Sequence, residues 1–166
     1  MIPYREFAQQ YASLSEEEFL RQIKEPHVLM VERRNLRESE SGFMTVKFTK
    51  EALAESSETR TFVLPIKKRA GSNAFGMMIT LGRAPNNDLV VDHQKISKFH
   101  AYFRDAGSSW LICDADSRNG TVVDGVPLEP GQQGRPVHSG TRVKLGQVVE
   151  LVFYLPKELY KKLKEG

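Results

Sequence analysis

From Met77 to Leu155 the chain never keeps one apolar run long enough for a helix. Short apolar segments at 77–82, 88–91, 100–104, 109–113, 121–123, 142–145 and 148–154 alternate with gaps rich in Gly, Pro, Asn and Asp. Asp124-Gly125, between two such segments, is the dipeptide of a tight hairpin turn. This rhythm predicts an all-β sandwich or barrel. A chain of 166 residues with 40% hydrophobic and 27% charged residues can bury a core without metal or cross-links. The single cysteine, Cys113, excludes an internal disulfide and a thiolate zinc cluster. It stands in the apolar run Trp110-Leu111-Ile112-Cys113 and is read as core.

The flanks follow other periods. Tyr4, Phe7, Ala8 and Tyr11 mark one helical face, and Ser15 with Glu18 forms a capping box ahead of Phe19, Leu20 and Ile23. Pro26 ends this helical extension, assigned to residues 1–26. Residues 27–155 are assigned to the sandwich, with strands expected at His27–Val31, Phe43–Thr49 and Thr61–Lys67, and a polar loop at 50–60. Lys67 to Asn73 reads as a basic, flexible turn. Pro156 opens a short basic helix over 156–166.

Charge limits the partners. The net charge is +3, and residues 71–155 contain basic and acidic residues in equal number, so the surplus lies in the flanks. That balance argues against a polyanion-binding surface and so against nucleic acid, but leaves room for a small local anion site. No signal peptide or membrane-length apolar segment is visible, and the expected location is cytoplasmic. His27, His93 and His138 are scattered, so no metal or cofactor is expected.

Three blocks stand in order on the β background: Gly82-Arg83 after a strand, Ser97-Lys98-Phe99-His100, and Asn119-Gly120-Thr121 followed by Asp124-Gly125. This ordered set resembles the forkhead-associated (FHA) domain family. The resemblance covers the motif-bearing part, 77–155, and implies a β-sandwich of about eleven strands, in the sheet-on-sheet class. It further implies a non-catalytic module that binds phosphothreonine peptides through loops at one end. By that resemblance Arg83 grips the phosphate, Ser97 binds it, and Asn119 bonds the peptide main chain. Lys98 takes the next basic position, and Gly82, His100 and Gly120 support the loops. Arg118 stands where the family often has a small hydroxyl residue, and is counted with the binding residues for its charge. Lys95 resembles a position that reads the third residue after the phosphothreonine.

The residue chemistry fits that reading. A phosphomonoester carries nearly two negative charges and three strong acceptor oxygens, which an arginine fork meets with parallel donors. A lysine adds a point charge, a serine hydroxyl a short donor, and an asparagine amide can both donate to and accept from an extended backbone. No nucleophile, paired carboxylates or metal ligands accompany the set, so no enzyme activity is expected. The expected partner is a phosphothreonine-containing protein, a Ser/Thr kinase or its substrate. A second reading is an interaction or assembly protein on the same scaffold that binds without phosphate. Thr59, within Glu55 to Thr61, is a candidate phosphoacceptor in the expected loop.

Overall fold

The computed structural model describes residues 1–35, 57–131 and 133–166. The strand expected at Phe43–Thr49 and the loop expected over 50–56 lie outside the described residues. In chain order the elements are β1 (Ile2–Pro3), α1 (Tyr4–Tyr11), α2 (Glu16–Gln22), β2 (His27–Asn35), β3 (Ser57–Pro65), β4 (Ile79–Gly82) and β5 (Leu89–Val90). There follow β6 (Ala101–Asp105), β7 (Trp110–Asp114), β8 (Thr121–Val123), β9 (Val126–Pro127), β10 (Arg135–Val137), β11 (Arg142–Leu145), β12 (Val149–Tyr154) and α3 (Pro156–Glu165).

The strands form two sheets, in the order β1-β3-β2-β12-β11-β8-β9 and β10-β7-β6-β4-β5. All neighbours are antiparallel except β4 and β5. Alternation decides which side chains enter the space between the sheets. Val149, Leu151 and Phe153 of β12 point inward, with Val28, Met30 and Leu64 from the same sheet and Leu81, Phe103 and Ile112 from the other. Cys113 is buried, as its apolar neighbours predict.

The run from Val28 to Met30 does not alternate, because this strand is buried on both faces. Leu29 and Val63 turn away from the sandwich and meet Phe7, Phe19, Ile23, Leu159 and Leu163 in a second core. The helical extension thus packs on the outer face of the seven-stranded sheet together with α3. Ser15 caps α2 through the expected box: its hydroxyl accepts from Glu18 N–H, and its own N–H donates to the Glu18 carboxylate at 2.9 Å. Tyr160 Oη donates to Leu14 O at 3.2 Å, and Lys164 Nζ to Ala12 O at 2.6 Å, so the first and last segments are stitched together.

Three expectations change. Residues 57–60 are strand, since β3 continues past Thr61 to pair Thr59 with Arg33 and Ser57 with Asn35; the cross-strand ladder outweighs their polar composition. Thr59 therefore sits in a strand and not in a loop. Short β1, β9 and β10 were not anticipated, because Pro3, Pro127 and Pro136 mask two- and three-residue pairings.

The basic turn after β3 is pinned rather than flexible. Asp88, whose side chain has no solvent exposure, accepts from Lys68 Nζ (2.9 Å), Arg69 N–H (2.9 Å), Ser72 Oγ (2.6 Å) and Thr80 N–H (2.8 Å). Burial opposes its ionisation, yet the hydrogen bonds from Ser72, Arg69, Lys68 and Thr80 outweigh it and hold the carboxyl well below the usual range. A carboxylate whose folded pKa is depressed stabilises fully above its unfolded value, about pH 4, and loses that contribution as pH falls further. Asp88→Ala should destabilise the protein by about 3 kcal/mol, the low end for a broken buried pair because Lys68 keeps some water access. Urea unfolding checks this, and Asp88→Asn should unfold with a shallower dependence on acid than the native chain.

Candidate functional site

The three sequence blocks come together at one end of the sandwich. Gly82 closes β4, and its backbone lies so near the next block that a Cβ there would sit 2.4 Å from Lys98 O and 2.9 Å from Ser97 O. Only glycine permits that approach. It lets Arg83 N–H donate to Ser97 O (2.9 Å) and Ala84 N–H to Lys98 O (3.1 Å), locking the Arg83 loop to the Ser97 loop. Asn87 finishes the lock from beneath, donating from Nδ2 to Ala84 O (2.9 Å) and Lys98 O (2.6 Å).

The third block joins through His100, which is wholly buried. Its Nδ1 accepts from Ser97 N–H (3.1 Å), and its Nε2 lies 2.9 Å from Gly120 O. A carbonyl only accepts, so Nε2 carries the proton and the ring is the neutral Nε2–H tautomer. Burial lowers the His100 pKa, against smaller opposing effects from the Gly120 hydrogen bond and Asp114. Gly120 has φ +83°, a left-handed conformation natural to glycine, and its carbonyl also accepts from Gly146 N–H at 2.9 Å.

The loop from Asp116 to Gly120 is wound around a buried carboxylate that sequence reading did not single out. Asp114 accepts from Ser117 N–H (3.0 Å), Ser117 Oγ (2.5 Å) and Thr121 Oγ1 (2.6 Å), and Ser117 Oγ accepts in turn from Gly120 N–H (3.1 Å). The signal was present as Asp followed by Ser three residues on, the spacing of a side-chain-stabilised turn. Asn87, Asp88 and Gly146 were likewise not selected. The partners that give them their part, Lys98 for Asn87, Lys68 for Asp88 and Gly120 for Gly146, lie far along the chain, so no local spacing marks them.

On this frame the predicted side chains take these positions. Arg83 is half-buried and donates from Nε to Ile96 O at 3.1 Å. This fixes the guanidinium plane and leaves both terminal nitrogens without a hydrogen-bond partner among the described residues. Ser97 is half-buried. Its hydroxyl oxygen accepts from Arg118 N–H at 3.0 Å, so its own hydrogen remains to be given. Asn119 is exposed and donates from Nδ2 to Lys95 O at 2.8 Å, leaving Oδ1 as an acceptor. Lys98 and Arg118 are exposed, and no ion pair involving either is seen among the described residues. The arrangement is a shallow rim of cationic and hydrogen-bonding groups on a rigid base. A cavity of about 560 Å³ lies elsewhere, along Met30, Phe62, Leu64 and Leu89, and none of the predicted site residues lines it.

Comparison with known proteins agrees with the block pattern. Residues 79–146 match the family model of the FHA domain. Over 74 residues the chain is 35% identical to an oxoglutarate dehydrogenase inhibitor of Corynebacterium diphtheriae, covering 45% of this chain and 48% of that protein. It is 33% identical over 72 residues to the glycogen accumulation regulator GarA of Mycolicibacterium smegmatis, covering 43% of this chain and 42% of the relative. The chain thus spans about half the length of the curated relatives it matches. Among solved structures, the FHA domain of an Arabidopsis thaliana hypothetical protein aligns with a TM-score of 0.49 at 18% identity, over 80% of this chain and 88% of that one.

Two outcomes follow from the frame. Gly82→Ala should push the Ser97–Lys98 backbone away from Arg83 and destabilise the fold by about 1–3 kcal/mol, measured by thermal or urea unfolding. In a pH titration followed by NMR, His100 should show the Nε2–H tautomer and protonate below the ordinary histidine value of about 6.5. Because its folded pKa is lowered, its contribution to stability is whole above that value and declines as the unfolded chain takes up its proton below it.

Proposed function

We propose that this chain, which carries an FHA domain over residues 79–146, is a non-catalytic phosphothreonine-dependent binding module. It acts in cytoplasmic Ser/Thr kinase signalling and docks phosphorylated segments of partner proteins on the loops that hold Arg83, Ser97 and Asn119. The observation that carries this reading is the state of Arg83. Its Nε is spent on Ile96 O, which orients the fork, and its two terminal nitrogens have no hydrogen-bond partner among the described residues; the Ser97 loop, tied to Arg83 N–H through Ser97 O, carries a hydroxyl that still has a hydrogen to give. That is a donor set for tetrahedral oxygens.

Each further residue has a distinct part. Lys98 and Arg118 add charge from the exposed rim, strengthening association and making it salt-dependent. Asn119, tethered to Lys95 O, presents its amide oxygen to an N–H of the bound main chain. Gly82, His100 and Gly120 hold the loops in register and touch no ligand. No bond is made or broken in this scheme. Two relatives are named as an inhibitor and a regulator, which supports a chain that controls a partner by binding it.

Calorimetry with a peptide selected from an oriented phosphothreonine library tests the reading. The native chain should prefer the phosphothreonine form over the phosphoserine and unphosphorylated forms. Arg83→Ala should weaken binding about a hundredfold, near 2.7 kcal/mol, with the thermal transition retained. Arg83→Lys should recover only part, since charge returns without the fork. Equal affinity for the phosphorylated and unphosphorylated peptides would overturn the proposal.

A further inference from the structure

Next to the Ser97 loop lies an apolar surface that neither core uses. Phe75 is 51% exposed and Met77, two residues on in the same turn, is 76% exposed. Phe75 stacks on Phe99 with ring centroids 5.7 Å apart and planes 14° from parallel, and Phe99 meets Tyr102 at 6.1 Å. Single exposed apolar residues are ordinary, but stacked aromatic rings with an exposed methionine two residues on in the same turn make a patch of the kind that recognises partners.

Its position is held, not accidental. Asn73 Oδ1 accepts from Phe75 N–H (3.1 Å) and from Lys68 Nζ (2.6 Å), while Asn73 Nδ2 donates to Asn86 O (2.9 Å) in the Arg83 loop. Lys68 Nζ also donates to Met78 O at 2.8 Å. The turn that presents Phe75 and Met77 is therefore bonded to the loop that presents Arg83. Phe99 itself lies between Lys98 and His100. The two surfaces form one rigid unit.

We infer that the Phe75–Phe99 stack with Met77 is a subsite for an apolar side chain of the phosphorylated segment itself, on the amino-terminal side of its phosphothreonine. This rests on the phosphopeptide reading above. The side follows from the phosphopeptide reading: it gives the main chain after the phosphate to Asn119 and Lys95, which are bonded to each other, and so leaves the stack to the residues before it. Reach sets the spacing. Ser97 and Phe99 are separated by at most about 7 Å of backbone and the stack extends the surface by one ring, so the apolar residue stands about two to four positions before the phosphothreonine. Charge agrees in the turn: Lys68 is committed to Asp88, and Arg69 to the carbonyls of Pro85 and Asn87, so neither cation of the turn that carries Phe75 and Met77 is left to select an acid.

A phosphothreonine library degenerate on both sides, with its unphosphorylated counterpart, tests this on the native chain. Leu, Ile, Met or Phe should be enriched at one of those amino-terminal positions. Replacing that residue by Ala in the selected peptide should weaken binding about tenfold. The Phe75→Ala/Met77→Ala double variant should remove the difference between the two peptides while keeping the dependence on phosphate, and Phe75→Leu should restore most of it. Phosphate-dependent binding with no apolar preference there, or a preference that survives the double variant, would overturn the subsite and leave the functional reading standing. Binding without phosphate dependence would overturn both.

Discussion

The imidazole of His100 is the contact on which the binding end depends. It is fully buried and spans two loops, accepting from Ser97 N–H and donating to Gly120 O. Its own backbone N–H and carbonyl are taken by Leu81 and Ala115, so one residue ties four segments. The neutral ring presents an acceptor to one loop and a donor to the other, and a charged ring could not accept from Ser97. Everything at the rim inherits its placement from this buried group. The Ser97 hydroxyl, the Arg118 backbone bonded to it, and the Asn119 amide beyond all hang from the two loops that His100 joins.

The hub at Asp88 does for the neighbouring turn what His100 does for the loops. A charge with no water of its own must find donors: the turn after β3 supplies one backbone and two side-chain groups, and Thr80 N–H of β4 supplies another. Cationic residues that composition marks as solvated are thereby removed from the surface field. Lys68 and Arg69 work as structural ties, and the cations left facing outward near the loops are Lys95, Lys98 and Arg118, with the half-buried Arg83 between them. The exposed positive charge is local because neighbouring cations are paired or hydrogen-bonded within the fold.

How much was legible follows from how far apart the partners are. The seven strands read between Met77 and Leu155 were found at nearly the same bounds, because alternation and turn residues are local signals. The α2 cap was readable for the same reason, Ser15 and Glu18 being one turn apart. The three motif blocks located the loops, and the fold brings all three to one end. Sequence could not show that Asn87 supports Lys98, or that Arg83 is oriented by Ile96 O, since these pairs are joined only by the fold. Nor could polar composition at 57–60 reveal a strand, because the pairing that makes it one comes from β2. The double burial of Leu29 was half visible: an unbroken apolar run announces a strand covered on both faces, without saying by what.

What covers that strand has a consequence for biosynthesis. Phe7 and Phe19 precede the sandwich in the chain, yet the core that shelters them is closed by Leu159 and Leu163, and Tyr160 reaches back across 146 positions to Leu14 O. The middle of the chain can build its sandwich while still being translated. The amphipathic helices at the start must wait, with their aromatic rings uncovered, until residues 156–165 have left the ribosome. A nascent chain paused before Pro156 therefore presents a sticky, half-built outer face, and its need for chaperoning is set by the order of its segments and not by the stability of the finished fold.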